Sequence, residues 1–374
     1  MNILLTCVGR RSYFVRYFRE ALNHRGEVFV ADISPNAEAM READRGFIVP
    51  PVVHPDYFDV LRDICHRHEI RLLISVSDIE LPLLARERES FLAIGTIPVV
   101  SASQVIETCF DKYRAFKFLK SHDIVTPNTY SELGDARSAL DGSDITFPAV
   151  VKPRWGAASI GIFYPENREE LELLYSLAKK CIMRSMFAAA SLGDPERSIL
   201  IQEYLDGEEI NLDIVNDLDG NYVSTLVTHK LALRSGETDR AVTTESDEMQ
   251  ALGALIGTKL GHIGILDCDV IVSNGDAYVL ELNPRFGGAY PFSHVAGANI
   301  PAALIAWANG EEPDPSWLRV RPNVMASKSD RLVVREQSCI SSESREESMS
   351  GWIEYKANEA SQTAKLITED SEAE

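Results

Sequence analysis

At 374 residues, 45% of them hydrophobic and 25% charged, the chain has room for two or three packed units and an ordinary globular composition. Its formal net charge of −20 argues against a nucleic-acid partner, because phosphate backbones are bound chiefly by clusters of Lys and Arg. A nucleotide needs only a local basic lining and is not excluded.

The first hundred residues alternate strand and helix signals. An apolar strand over 3–8 leads to a helical period over 11–22, with Phe14, Phe18 and Leu22 on one face. Strands follow at 28–31, 47–49 and 72–76, with helices at 57–68 and 81–89. This alternation predicts a parallel α/β sheet, whose ligands gather at the carboxyl ends of the strands. Three polar clusters fall there: Gly9-Arg10-Arg11, Asp32 with Ser34, and Ser77-Asp78-Ile79-Glu80. Gly9-Arg10-Arg11-Ser12 is no GxGxxG fingerprint. Its arginines suit an anionic group at a helix start or, equally, a solvated basic turn. Glu80 suits an amine or simply the first turn of a helix.

From about residue 105 the pattern changes. One helix is expected over 105–121, carrying Lys112, then a strand over 148–153 ending at Lys152. The small-residue loop 156–161 suits closure over phosphates, or an ordinary strand-to-helix turn. A long helix spans 167–186. A strand over 199–204 is expected to turn at Asp206-Gly207 and pair antiparallel with 209–215. Further strands are expected at 222–230, 268–272 and 277–282, with a polar loop over 230–244. Beyond about residue 317 the signal weakens. Residues 338–347 are rich in Ser, Glu and Arg, 351–355 and 365–367 read as short strands, and 368–374 as an acidic, disordered end.

The six cysteines show no CxxC pair and no metal spacing, as expected of thiols in a reducing cytosol. No apolar run reaches a membrane span, and the start is too soon broken for a signal peptide, so a cytoplasmic chain without a membrane partner is expected.

The densest chemistry lies in Glu281-Leu282-Asn283-Pro284-Arg285-Phe286-Gly287-Gly288. On a strand, residues i and i+2 share a face, so Glu281 and Asn283 aim their oxygens into one space. Hard oxygen donors of this kind suit Mg²⁺, which takes one or two carboxylates plus nucleotide phosphates. Asp269, on a strand expected to pair with that of Glu281, adds a second acid.

The order of these features (Lys112, Lys152-Pro153 before a Gly-containing loop, Glu203-Tyr204-Leu205, Asp269, then Glu281-x-Asn283-Pro284-Arg285) resembles the ATP-grasp superfamily over roughly residues 108–310. The first hundred residues look like the domain that precedes the grasp in its carbamoyl-phosphate-synthase-like and amino-acid-ligase-like members. The resemblance implies an α/β fold. A Rossmann-like pre-ATP-grasp domain (1–105) would precede a two-subdomain α+β ATP-grasp unit (106–310) and a C-terminal extension (311–374).

It also implies roles. Lys112 and Lys152 would hold ATP phosphates under a loop containing Ser159. Glu203, Tyr204 and Leu205 would meet adenine, and Glu209 the ribose. Asp269, Glu281 and Asn283 would bind Mg²⁺, with Mn²⁺ as a substitute. Arg285 would steady the transferred group, with Lys152 and Arg240 also catalytic; Arg234 and Arg240 are candidates for a substrate carboxylate. Two positions depart from the pattern: Ala157 and Ala158 replace glycine in the phosphate loop, and Asp267 stands where dipeptide-forming ligases tend to carry Arg. The implied activity is ADP-forming ligation of a small carboxylate to a small amine through an acyl phosphate, with a homodimer left open. Carbamoyl-phosphate-type chemistry on bicarbonate, and a non-catalytic ATP-binding regulator, are the alternatives.

Overall fold

A computed structural model describes residues 1–157 and 159–330, and the chain up to Lys328 forms one compact unit. The expected strands at 351–355 and 365–367 and the acidic end lie outside the described residues. Cys7, Cys65, Cys109, Cys181 and Cys268 are all free thiols.

The chain opens with β1 (Asn2–Thr6), α1 (Tyr13–Leu22), β2 (Val28–Asp32), α2 (Ala39–Glu42), β3 (Arg45–Ile48), α3 (Tyr57–Arg67), β4 (Ile70–Ser75), α4 (Leu81–Leu92) and β5 (Ile97–Pro98). Its five strands run parallel in the order β3-β2-β1-β4-β5. The order reverses between β1 and β4, and the loops leaving these strands carry Arg11 and Asp78 to the crevice where such sheets bind ligands. Glu80 does not face that crevice. It is fully buried and accepts hydrogen bonds from Thr6 Oγ1 (2.7 Å), Ser75 Oγ (2.6 Å) and the Tyr57 hydroxyl (2.8 Å). Three neutral donors satisfy the carboxylate, so its role here is to tie β1, α3 and β4 together.

Next come α5 (Ser103–Phe110), α6 (Lys112–Ser121), β6 (Thr129–Tyr130), α7 (Leu133–Gly142), β7 (Ala149–Pro153), α8 (Arg168–Met183), α9 (Ala188–Leu192) and β8 (Ile199–Glu203). The expected single helix over 105–121 is two. Asp111 leaves the helical conformation (φ −96°, ψ 99°) and caps α6 through the Tyr113 and Arg114 amides. The small antiparallel sheet β6-β8-β7 packs against α7 and α8.

The last part holds β9 (Glu208–Asn216), β10 (Tyr222–Arg234), β11 (Glu237–Thr244), α10 (Asp247–Leu260), β12 (Gly264–Ser273), β13 (Asp276–Asn283), α11 (Tyr290–Val295), α12 (Ile300–Ala308) and β14 (Met325–Ser327). Its six strands form one antiparallel sheet, ordered β13-β12-β9-β10-β11-β14.

Two sequence expectations are corrected here. β8 and β9 do not pair: β9 has both edges filled by β10 and β12, while β8 pairs with β6 and β7. The intervening residues therefore cross from one sheet to the other. The polar segment 230–244 is no loop but the β10–β11 hairpin. Ser235 (φ 53°) and Gly236 (φ 77°) make its two-residue turn between paired Arg234 and Glu237. Positive φ at both central positions is what a tight hairpin turn demands.

Candidate active site

A cleft of about 800 Å³ lies between the two antiparallel sheets, closed at one end by the loops that follow β1 and β4. Its floor is one face of the six-stranded sheet. Register puts Asn211, Asp269 and Glu281 in one cross-strand row and Asp213, Asp267 and Asn283 in the next. Alternation explains the grouping: on β9, β12 and the end of β13 the polar residues fall every second position, while Ile210, Leu212, Cys268 and Leu282 fill the opposite, buried face.

The floor's carboxylates are held by lysines. Lys112, the first residue of α6, reaches Glu281 at 2.9 Å and the Gly156 carbonyl at 2.5 Å. The Asp111 cap places it there: both Asp111 oxygens take a fork from Arg154 (2.7 Å each), which pins the start of α6 to the end of β7. Lys230 donates to Asp269. Burial opposes its charge, but Asp269 and Asp267 outweigh this and push its pKa up. Burial also opposes ionisation of Glu281, yet Lys112 and Lys152 hold its pKa down.

Lys152 projects from β7 in the opposite sheet. It is buried, bonds Gln202 Oε1 at 2.9 Å, and is brought down to about 8, mainly by burial. A buried ammonium whose one hydrogen bond among the described residues goes to an amide is suited to receive an anion.

Asn211 is 1% exposed, gives its amide N–H to Asp213 (3.2 Å), and leaves its oxygen without a hydrogen-bond partner among the described residues. Asp213 in turn accepts from Ser293 Oγ at 2.6 Å; burial lifts its pKa to about 7.

Arg285 closes the floor at the end nearest the parallel sheet. Its Nε and Nη2 fork onto Asp78 (2.9 and 3.1 Å) and its Nη1 meets Asp267 at 2.7 Å. The glycine after Phe286 has a steric reason. A Cβ on Gly287 would lie 2.2 Å from Asp267 Cγ, so only glycine lets that carboxylate reach the guanidinium. Above it, Arg11 bonds Glu237 on β11 at 2.9 Å.

The far end is less polar. Tyr204 and Tyr164 meet edge to face at 6.0 Å beside Val150, Ile160 and Ile162. Leu205, Glu209 and the exposed Ser159 (φ 58°) complete this rim.

The expected site residues Lys112, Lys152, Ser159, Glu203, Tyr204, Leu205, Glu209, Asp269, Glu281, Asn283 and Arg285 thus all line one cleft. Arg240 does not. It is exposed, on β11 opposite Ala232 and Ser327, outside the cleft lining. Arg234 pairs with Asp239 instead. Sequence reasoning missed Gln202, Asn211, Lys230, Glu237 and Tyr164. The alternation Glu209-x-Asn211-x-Asp213 was a usable signal for the second of these. Nothing local marks the others.

Two family models match the chain: a PylC-like N-terminal domain over residues 3–100 and an ATP-grasp domain over 109–289. The carbamoyl phosphate synthase large chain of Helicobacter pylori is 25% identical over 266 residues, covering 67% of this chain and 23% of that one. The arginine-specific large chain of Geobacillus stearothermophilus is 26% identical over 225 residues, covering 56% of this chain and 20% of that one. The chain therefore spans between a fifth and a quarter of the length of these curated relatives. Among solved structures, the biotin carboxylase domain of Hydrogenobacter thermophilus 2-oxoglutarate carboxylase, in complex with MgADP and bicarbonate, superposes with a TM-score of 0.67 at 17% identity (87% of this chain, 73% of that one). The L-amino acid ligase of Bacillus licheniformis gives 0.62 at 19% identity (83% and 75%). These likenesses agree with the parallel sheet followed by two antiparallel sheets around a cleft. With the cleft's residues in the order described, residues 109–289 belong to the ATP-grasp domain family.

Proposed function

We propose that the chain is an ATP-dependent carboxylate–amine ligase, releasing ADP and phosphate through an acyl phosphate. The observation that carries this reading is the floor register, which sets Asp269, Glu281 and Asn283 side by side opposite the buried Lys152. Residues 1–105 are the preceding α/β domain in this reading, 106–310 the ATP-binding unit and 311–374 an extension. Of that extension, β14 adds to the edge of the six-stranded sheet.

The donor set fits Mg²⁺. Two carboxylates and an amide oxygen share one face, and Asn211 adds an unpartnered amide oxygen in the same row. Among the described residues no three His, Cys, Asp or Glu side chains gather as a ready metal cage. That suits a cation arriving with nucleotide phosphates better than one resident without them. Asp269, Glu281 and Asn283 would hold it, where it neutralises phosphate charge; Mn²⁺, with the same taste for oxygen, substitutes.

Lys112 and Lys152 take the phosphates. Tyr204, Leu205 and Tyr164 enclose the base, with the Glu203 backbone at its edge and Glu209 at the ribose. The 156–161 loop covers the phosphates and keeps water from the intermediate. The γ-phosphoryl leaves ADP for a carboxylate oxygen of the acyl donor, and Arg285 faces that transferred group. The amine nitrogen then bonds the acyl carbon, phosphate leaves with the oxygen it received, and the amine gives up a proton. The protein's part is positioning and charge neutralisation.

ADP release measured over panels of small carboxylates and amines tests the reading, with Glu281→Gln as control. The expected result is ADP formation that needs both substrates and falls on the order of 10²-fold or more in Glu281→Gln. ADP formed with bicarbonate alone, or undiminished in Glu281→Gln, would overturn it.

A further inference from the structure

We propose that Asp78, from the N-terminal parallel-sheet unit, is the positioning residue that sets the plane of Arg285, so that the ATP-binding part is completed by a side chain 207 residues away. The proposal rests on the ligase reading, which gives Arg285 the transferred phosphoryl group.

The geometry is that of a built clamp. Asp78 grips Nε and Nη2 with both oxygens (2.9 and 3.1 Å), and Asp267 takes Nη1 at 2.7 Å. A guanidinium is planar, and a fork on one edge plus a bond on another fixes both its position and its rotation. Side-chain exposure is 9% for Arg285, 9% for Asp267 and 19% for Asp78, so solvent does little to loosen the pairings. Nη1 also donates to the Phe286 carbonyl at 3.4 Å, so the second N–H of Nη2 is directed rather than free to swing.

Asp78 owes its reach to the fold. It sits in the loop that leaves β4, beside the strand-order reversal, while Arg285 sits just past β13. A tie between the two units does not require this pair. Phe14 and Phe18 of α1 already pack on Phe286 and Tyr290 in a common apolar core. Two carboxylates on one buried guanidinium are also an expensive way to join surfaces. Their value lies in orientation.

The test uses the full chain with MgADP and aluminium fluoride, a stand-in for the phosphoryl group in flight. Titrations of wild type, Asp78→Asn, Asp78→Glu, Arg285→Lys and the Asp78→Asn/Arg285→Lys double variant are read by calorimetry, beside thermal midpoints. In wild type, aluminium fluoride should tighten MgADP binding. Asp78→Asn should lose on the order of 10-fold or more of that tightening, with MgADP affinity alone unchanged. Asp78→Glu should recover part of it. The double variant should be no worse than Arg285→Lys, because Asp78 acts only through Arg285.

Additive losses overturn the proposal. So does a lowered midpoint in Asp78→Asn with tightening intact, which would mark a structural tie. A wild type that binds MgADP without tightening removes the role of Arg285, and the proposal with it. A wild type that binds no MgADP overturns the nucleotide reading itself.

Discussion

His262 shows how much one buried side chain contributes to the pH response. It is fully buried after α10, with Nε2 at 3.0 Å from the Ile214 carbonyl and Nδ1 without a partner among the described residues. A neutral imidazole fits that site; a charged one would bury a second N–H with no acceptor. Burial accordingly lowers its pKa from 6.5 to about 4. The unfolded chain then binds a proton between those values while the folded chain does not. Its contribution is present above pH 6.5 and is lost as pH falls toward 4, by about 3 kcal/mol in all. Urea midpoints measured across that window should fall steeply in wild type. The slope should be shallower in His262→Gln, which keeps a donor for Ile214; equal slopes would remove His262 from the account. Gly287→Ala acts at the same scale but on the site. The new Cβ would meet Asp267 Cγ at 2.2 Å, so Asp267 must leave Arg285. Turnover is expected to fall on the order of 10²-fold, a loss that steady-state ADP release would register.

At the scale of elements, the crossing from β8 to β9 matters most. Residues 204–207 carry the chain between the two sheets, and Gly207 packs against the backbone of β12. A Cβ there would lie 2.2 Å from the Val272 carbonyl oxygen. Gly207→Ala should therefore push the crossing away from the floor and cost about 1–3 kcal/mol in stability. The rim formed by Tyr204 and Leu205 would move with it. ATP affinity should weaken, which fluorescence titration with a nucleotide analogue would measure; unchanged affinity would mean the rim does not depend on the crossing. Sequence reading mistook this crossing for a hairpin, for a physical reason. Asp206-Gly207 is a local turn signal whichever strands it joins, and the partner of β9 is chosen by tertiary competition. The 230–244 hairpin was missed for a related cause: two register shifts, one skipping Leu231 on β10 and one skipping Asp239 on β11, break its alternation. Period-two patterns were read correctly where one face is uniformly apolar, as at Asp269, Glu281 and Asn283. Asp78 was noticed as part of a polar strand-end cluster, but its bond to Arg285 spans 207 residues, and no local pattern encodes that.

The whole molecule is less divisible than its order of motifs implies. One core cluster joins Phe14, Val15 and Phe18 of α1 to Phe286, Tyr290, Ile300 and Leu304 from the end of the ATP-binding part, and includes Val215 and Ile265 from its sheet. Phe14 stacks on Tyr290 at 6.2 Å and meets Phe286 at 5.1 Å, while Tyr17 stacks on His294 at 3.6 Å. All of Phe14, Phe286 and Tyr290 are within 1% of full burial. Removing residues 1–105 would expose these rings and strip Arg285 of Asp78. Each large aromatic contributes about 3–5 kcal/mol when its burial is lost, judged by truncation to alanine, and a domain's whole stability is about 5–15 kcal/mol. Losing partners for two such rings consumes most of that margin. A fragment of residues 106–330 is therefore expected to retain secondary structure while losing fixed packing. The measurements are far- and near-ultraviolet circular dichroism with dye binding to exposed apolar surface. Addition of separately expressed 1–105 should restore the near-ultraviolet signal and MgADP binding together. A fragment that melts cooperatively and binds MgADP unaided would show instead that the shared core is an interface between two independent domains.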